Sequence, residues 1–288
     1  MRSITPFLLL AILATACTSL SATATVSDQP PPCDTIGQTW VSPGDGMTLV
    51  CVPAGEFIQG SAADDLHAEP NEEPQHVVHV DAFWIDRTEV TNAMFAECVA
   101  ANACHERTIS PYLWGVYLPN GDPYYYESEY HDHPVIMLDG DEAQAYCRWA
   151  GRRLPYEAEW EKAARGSDDR LYPWGAGIDC EQANFLGCTD APARVDAYPE
   201  SVSPYGALNM AGNLWEWVAD WYSPDYYVQA PTQNPHGPLT GQYRTLRGGG
   251  WRSLSYQLRV TNRASGKPEH ATDGEIGIRC ALDEVLSP

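Results

Sequence analysis

The chain has 288 residues, with 39 Asp and Glu against 17 Lys and Arg, which gives a formal net charge of −22. This charge repels nucleic-acid phosphates, so we expect no nucleic-acid partner. It also disfavours contact with anionic lipid headgroups beyond an anchor, and it attracts divalent cations.

The N-terminus predicts export. The segment MRSITPFLLLAILATAC has one basic residue, then an apolar run too short to span a bilayer, and small residues before Cys17. We interpret residues 1–16 as a signal peptide and Cys17 as a lipidation site of the bacterial lipoprotein type. Cleavage after Ala16 without a lipid is the alternative. Because Thr18 is not an aspartate, an outer-membrane (periplasmic) or cell-surface anchor is favoured over retention at an inner membrane.

The composition beyond the signal peptide predicts a tether and one domain. Residues 17–40 begin with a stretch rich in Ser, Thr and Pro, which is typical of a flexible segment. Residues 41–285 then have the length of one large domain, and no internal repeat divides them. A lipid at Cys17 would attach this domain to a membrane.

The cysteines predict disulfide bonds. Setting Cys17 aside from the nine cysteines leaves eight, and an even number in an exported chain favours disulfides over metal thiolates. Short spacings predict two local bonds, and the remaining four cysteines are paired as two longer ones. The predicted pairs are Cys98–Cys104, Cys180–Cys188, Cys147–Cys280 and Cys33–Cys51.

The first half of the domain predicts short strands and a helix. MTLVCVPAGEFI, from Met47 to Ile58, has β-type residues interrupted by Pro-Ala-Gly, so we expect two strands joined by a turn. Thr91 is expected to cap a helix that begins with NAMFAECVA. The segment from His105 to Tyr130 is rich in tyrosine and lacks apolar periodicity, which predicts a long loop.

Two more helices are expected in GDEAQAYCRWAG, residues 140–151, and LPYEAEWEKAARG, residues 154–166. The second should have Pro155 in its first turn. We interpret its three glutamates as helix-capping and solvated residues: Glu157, Glu159 and Glu161. Beyond Gly166, short segments with many turns and tryptophans predict stabilisation by buried aromatics and disulfides.

An ordered set of segments now becomes specific. It comprises GEFIQGS, FWIDRTEVTNAMFAECV, HPVIMLDGDEAQAYCRWAGRRLPYEAEWEKAARG, YPWG, AN, YGALNMAGNLWEWVADWY, RTLRGGGW and GIRCA. In this order the segments resemble the formylglycine-generating enzyme, or sulfatase-modifying factor, family, from Met47 to Ala281. The resemblance implies an α+β fold of the formylglycine-generating-enzyme type, C-type-lectin-like, with little regular secondary structure. It also places a disulfide at Cys147 and Cys280.

The resemblance implies calcium, held by oxygen ligands as a hard cation requires. One ion would be bound by Asn184, the Phe185 carbonyl and Asp190. The other would be bound by Asn213, the Leu214 carbonyl and Glu216. The alternative for Asn213 and Glu216 is a helix cap and a buried hydrogen bond.

Active members of the family oxidise a substrate cysteine with copper held by two cysteines just after the glycine-rich segment. Here the two positions fall on Ser253 and Leu258, and Gly250 replaces the family's usual serine. Soft thiolates suit Cu(I), whereas a hydroxyl and an alkyl group do not, so we do not expect copper.

Three interpretations of function remain. The first is a non-catalytic module binding a peptide or small molecule in a groove formed by Arg247, Trp251, Ser253, Tyr256 and Arg263. The second is an oxidase with iron held by His131 and His133 together with His236 or His270, although His133 also has a structural explanation beside Pro134. The third is formylglycine generation by a cysteine-independent route. For the arginines, salt bridges are the alternative to ligand binding.

Overall fold

The computed structural model describes residues 29–106, 128–270 and 274–284. Helices and strands are short within these ranges. The helices are α1 Asn92–Ala100, α2 Gly140–Trp149, α3 Glu157–Arg165 and α4 Tyr226–Gln229. The strands are β1 Thr39–Val41, β2 Thr48–Val52, β3 Gly55–Gln59, β4 His76–Val80, β5 Phe83–Asp86, β6 Trp215–Trp221, β7 Arg244–Arg247, β8 Ala264–Gly266, β9 Ile276–Gly277 and β10 Ala281–Asp283.

The strands form three sheets. The first has the order β1-β2-β5-β10, the second is the hairpin β3-β4, and the third has the order β8-β7-β6-β9. All pairings are antiparallel except β6 with β9. The α+β class with little regular secondary structure is therefore confirmed. The two strands expected between Met47 and Ile58 are present, but β2 and β3 belong to different sheets.

The central strands of the first sheet, β2 and β5, are buried on both faces. Their residues alternate so that Leu49, Cys51 and Trp84 contribute to one apolar cluster. Val50 and Ile85 contribute to a second cluster on the opposite face. The first cluster includes residues of α2 and the second includes residues of α3, which is why β2 has an almost continuous apolar sequence.

The helix starts follow the expected chemistry with one exception. The Thr91 hydroxyl accepts from the Met94 backbone N–H at 3.3 Å, which confirms the predicted cap of α1. Asp139 caps α2 in a capping box with Glu142. The predicted position of Pro155 was wrong, because α3 starts at Glu157 and Pro155 lies before its N-cap residue.

The prediction that the glutamates of α3 are solvated was also wrong. Glu157, Glu159 and Glu161 are 2%, 7% and 0% exposed, because α3 packs between the second and third sheets. Each carboxylate is neutralised by an arginine side chain from another segment. The pairs are Glu157–Arg263, Glu159–Arg153 and Glu161–Arg247.

The four predicted disulfides are confirmed: Cys33–Cys51, Cys98–Cys104, Cys147–Cys280 and Cys180–Cys188. Cys147–Cys280 joins α2 to the residue before β10, and Cys33–Cys51 joins the N-terminal arm to β2. Two of the bonds are therefore links between segments that are distant in sequence or belong to different elements.

Ordered packing is present before residue 41, within the range 17–40 that the sequence predicts as a tether. Cys33 is buried, its backbone N–H donates to Glu284 at 2.9 Å, and β1 starts at Thr39. The predicted signal peptide, Cys17 and most of the predicted long loop lie outside the described residues. Over the ranges that are described, no helix has both the length and the apolar character needed to cross a bilayer.

Candidate functional site

The glycine-rich segment follows β7 and forms a tight turn against the core. Gly248 and Gly249 have φ values of +99° and +75°, which favour glycine. A Cβ on Gly249 would also lie 2.7 Å from a methyl carbon of Leu258. The turn places Trp251 in the interior, where its indole N–H donates to the Gly274 carbonyl at 3.3 Å.

Ser253 closes the turn that follows. Its hydroxyl accepts from the Gly250 backbone N–H at 2.9 Å, and its own N–H donates to the Gly250 carbonyl at 2.9 Å. The side chain is only slightly exposed, and the Ser253 carbonyl accepts from the Leu186 N–H at 3.0 Å. The Ser253 side chain and backbone therefore stabilise the local turn through hydrogen bonds.

Leu258 lies in the interior beside the same turn. It is fully buried in an apolar cluster with Tyr172, Ala183 and Ala211. A hydroxyl engaged with backbone groups and an alkyl side chain in a core offer no soft donor for copper. The residues present do not fit the copper centre that the resemblance implies.

The predicted groove was wrong for two of its arginines. Arg247 is fully buried and donates to Glu161 at 2.7 Å and to the Val260 carbonyl at 2.7 Å. Arg263 is 3% exposed and forms two hydrogen bonds with Glu157, at 2.7 and 2.9 Å. Both guanidinium groups are structural counter-ions of α3 and line no accessible surface.

Tyr256 is the most accessible of the five predicted groove residues. It is half-buried, and its ring stacks on His67 at 5.3 Å with an interplanar angle of 16°. The neighbouring Ser255 carbonyl accepts from the Tyr172 hydroxyl at 3.3 Å. The accessible part of this face therefore combines the Tyr256 ring with the exposed Arg252, which pairs with Glu275 at 3.3 Å.

Both carboxylate oxygens of Glu216, an expected calcium ligand, are engaged by protein donors. The carboxylate is fully buried and accepts three hydrogen bonds from Arg279, at 2.8, 3.0 and 3.2 Å, and one from the Trp160 indole at 2.6 Å. The side chain of Leu214, two residues earlier, is in the core. The buried hydrogen bonding that was the alternative for Glu216 is what the structure shows.

Sequence reasoning missed Glu89, which lies beside Asn213. Glu89 is fully buried, and its two oxygens accept from the side-chain amides of Asn209 and Asn213, at 2.7 and 2.8 Å. Burial raises the pKa of this carboxyl to about 7. The signal in the sequence was an acidic residue directly before the buried Val90 in RTEVTN.

The groups around Glu89 are hydrogen-bond donors to its carboxylate rather than oxygen ligands for a cation. Asn209 and Asn213, with φ values of +55° and +66°, turn their side-chain N–H groups toward Glu89. The Asn213 side-chain oxygen instead accepts from the Ala193 N–H at 2.8 Å. The positive charge of Arg279 acts against burial and lowers the pKa that burial raises.

The other expected calcium ligands are only partly together. Asn184 is buried, and its amide oxygen accepts from the Thr189 hydroxyl at 2.7 Å. The Phe185 carbonyl accepts from the Cys188 N–H at 2.9 Å, whereas Asp190 is exposed. Asn184 also donates to Asn213 at 3.3 Å, so it lies next to the Glu89 group.

The histidines considered for iron make contacts in different parts of the molecule. The carbonyls of His131 and His133 accept from the first residues of α1, and the ring of His236 stacks on Tyr156 at 3.7 Å. His270 is exposed. In the described ranges no group of three or more His, Cys, Asp or Glu side chains is arranged to hold a metal ion.

Comparison with known proteins identifies the family. Residues 38–284 match the family described as "Sulfatase-modifying factor enzyme 1-like domain". The chain belongs to the sulfatase-modifying factor family. It is 37% identical to the formylglycine-generating enzyme of Streptomyces coelicolor, over 83% of this chain and 90% of the relative.

The chain is also similar to a longer protein and to a solved structure. The chain is 35% identical to the serine/threonine-protein kinase pkn1 of Chlamydia caviae, over 81% of its own length but only 37% of the kinase. The structure of PvdO from Pseudomonas aeruginosa superposes with a TM-score of 0.72 at 24% identity, covering 87% of this chain and 99% of PvdO. That similarity shows the formylglycine-generating-enzyme fold, with which the C-type-lectin-like class is consistent.

Proposed function

We propose that this sulfatase-modifying factor protein is an exported, lipid-anchored binding protein that has lost the copper chemistry of its family. The observation that carries the proposal is the pair Ser253 and Leu258, one bonded to the turn and the other in the core. Four disulfides in the described residues support an oxidising compartment, and the N-terminal sequence supports export.

An exposed apolar surface beside this pair supports ligand binding. Leu171, Leu186 and Leu254 are 39%, 53% and 45% exposed. Each belongs to or contacts the segment 253–260, since the Leu186 N–H donates to Ser253 and the Leu171 carbonyl accepts from Val260. Clustered exposed apolar side chains mark interaction surfaces, so a peptide or small molecule with an apolar part is the expected ligand.

The absence of copper chemistry is tested by restoring the two thiols. The wild-type chain and the S253C/L258C variant would be loaded with Cu(I), desalted and analysed for metal. We expect substoichiometric copper in the wild type and about one copper per chain in the variant, because only the variant offers two soft ligands.

Activity is measured in the same samples, with a cysteine-containing peptide and mass spectrometry of the product. Formylglycine made by the wild type, with or without copper, would contradict the proposal. Stoichiometric iron in the wild type would instead favour the oxidase alternative, and alanine at His131 and His133 would then be the next variants.

We further propose that calcium binds at Asn184, the Phe185 carbonyl and Asp190 and stabilises the fold. Asp190 is exposed, and the hydroxyl of its neighbour Thr189 donates to the Asn184 side-chain oxygen at 2.7 Å, which brings the carboxylate close to that oxygen. Calcium should raise the melting temperature of the wild type, because a ligand that binds only the folded state stabilises it. The D190N variant should lose this response, since it removes the charged ligand, whereas E89Q should keep it. Loss of the response in E89Q but not in D190N would contradict this site.

A further inference from the structure

A second cleft lies away from the segment 253–258, against the first sheet. It has a volume of about 300 Å³ and is bounded by β1, the C-terminal end of α2, β10 and the N-terminal arm. Trp40 and Trp149 line it, together with Leu282. We refer to it as the two-tryptophan cleft.

The walls of the two-tryptophan cleft are aromatic and apolar but carry polar edges. Trp40 and Trp149 are half-buried and pack against the first apolar cluster. Pro30 and Pro43 add apolar surface, while Gly44 lies at the edge without a side chain. An indole offers a flat apolar face and one N–H donor, which suits a ligand with an apolar face and a polar rim.

The charge around the two-tryptophan cleft favours a neutral ligand. Arg152 lines the cleft and is paired with two buried carboxylates, Asp45 and Asp86, the latter at 3.0 Å. Its positive charge is therefore already balanced, and the net charge of −22 repels anions. The two carboxylates are themselves fully buried, so they are closed to a cationic ligand.

The two-tryptophan cleft also offers uncharged polar groups. Ser42 and Gln29 line it, and a hydroxyl and an amide can each donate to and accept from the hydroxyl groups of a ligand.

The size of the two-tryptophan cleft favours a small ligand over an extended peptide. The arm residues Gln29 and Pro30 line the cleft together with Gly151 and Arg152. An extended proline-rich peptide requires an open groove, whereas a volume of about 300 Å³ is typical of small-molecule sites. We propose that the two-tryptophan cleft is a binding site for a neutral saccharide.

The test is a tryptophan-fluorescence titration of the full chain with maltose, cellobiose and N,N′-diacetylchitobiose. At least one disaccharide should bind saturably, and W40A and W149A should each weaken it by about tenfold or more, as loss of a buried aromatic anchor does. The control W174A changes a half-buried tryptophan outside the cleft and should bind as the wild type does.

A blocking variant keeps the test valid if a tryptophan variant fails to fold. A Cβ on Gly44 would meet nothing closer than the Ala150 carbonyl at 3.6 Å, so G44L should fold and fill the cleft. Loss of binding in G44L would support the proposal. Three failures would overturn it: no saturable binding of any disaccharide, unchanged binding in G44L, or saturable binding of decaproline in place of the sugars.

Discussion

At the scale of single residues, Leu258 lies where the resemblance predicts a copper-binding cysteine, and it contributes packing to the core. Leu258 packs against Tyr172 and leaves no room for a side chain on Gly249 or Gly212. A cysteine at this position in a copper protein would serve the metal, whereas the leucine serves the free energy of folding. Leu258 therefore contributes to the stability of the fold.

We predict that L258A lowers the free energy of unfolding by about 2–5 kcal/mol, because it removes buried methyl groups and leaves a cavity. The matched control L254A changes a leucine that is 45% exposed and should have a much smaller effect. Both values are measured by urea denaturation monitored by tryptophan fluorescence. Equal effects of the two variants would contradict the packing described for Leu258.

Sequence could identify some site residues but not their surroundings. The spacing after the glycine-rich segment located Ser253 and Leu258, because it depends only on neighbours along the chain. The roles of Arg247 and Arg263 could not be read in this way, since their partners lie on α3, 86 and 106 residues away. Burial of a charged residue is a property of the tertiary structure.

At the scale of elements, the position of α3 could be predicted from local sequence, whereas its burial could not. Its position was predictable from helix-forming residues and the Gly166 terminus, and its start was missed by a small margin. Its environment was not predictable, because three glutamates on nine residues are typical of a solvated helix. Arg247 and Arg263 from distant segments and Arg153 just before the helix neutralise them and allow the whole helix to be buried.

We predict that E161Q is strongly destabilising, by about 3–5 kcal/mol, because it removes the charge shared by the buried Arg247 and Arg165 and leaves Arg247 only the Glu157 carboxylate at 3.6 Å. Glu161 also accepts from Arg165 and from the Gly60 N–H, at 3.0 and 2.9 Å. The control E56Q, on the exposed side of β3, should change stability very little. Thermal unfolding followed by circular dichroism distinguishes the two, and similar melting temperatures would count against the buried ion pair.

At the scale of the whole molecule, the disulfides differ in how much of the chain they restrict. Cys147–Cys280 spans a sequence separation of 133 residues, whereas Cys98–Cys104 spans six. In the chain-entropy description, a longer closed loop removes more freedom from the unfolded state. The two bonds should therefore contribute unequally, although both are buried or half-buried.

We predict that C147A/C280A loses about 5 kcal/mol of stability and C98A/C104A about 2 kcal/mol, from the loop lengths alone. Guanidinium denaturation of both double variants under oxidising conditions tests the difference. A larger loss in C98A/C104A would show that local packing, rather than loop length, decides the contribution of these bonds.

The first sheet also determines the order in which the chain can be completed during synthesis. β10, almost the last described segment, pairs with β5, and Glu284 accepts from the backbone of Cys33 near the start. Until the final residues leave the ribosome or the translocation channel, β5 keeps an unpaired edge and Cys147 lacks its partner. A nascent chain of this topology therefore exposes one edge of β5 until β10 has been synthesised, and an unpaired strand edge is prone to aggregation.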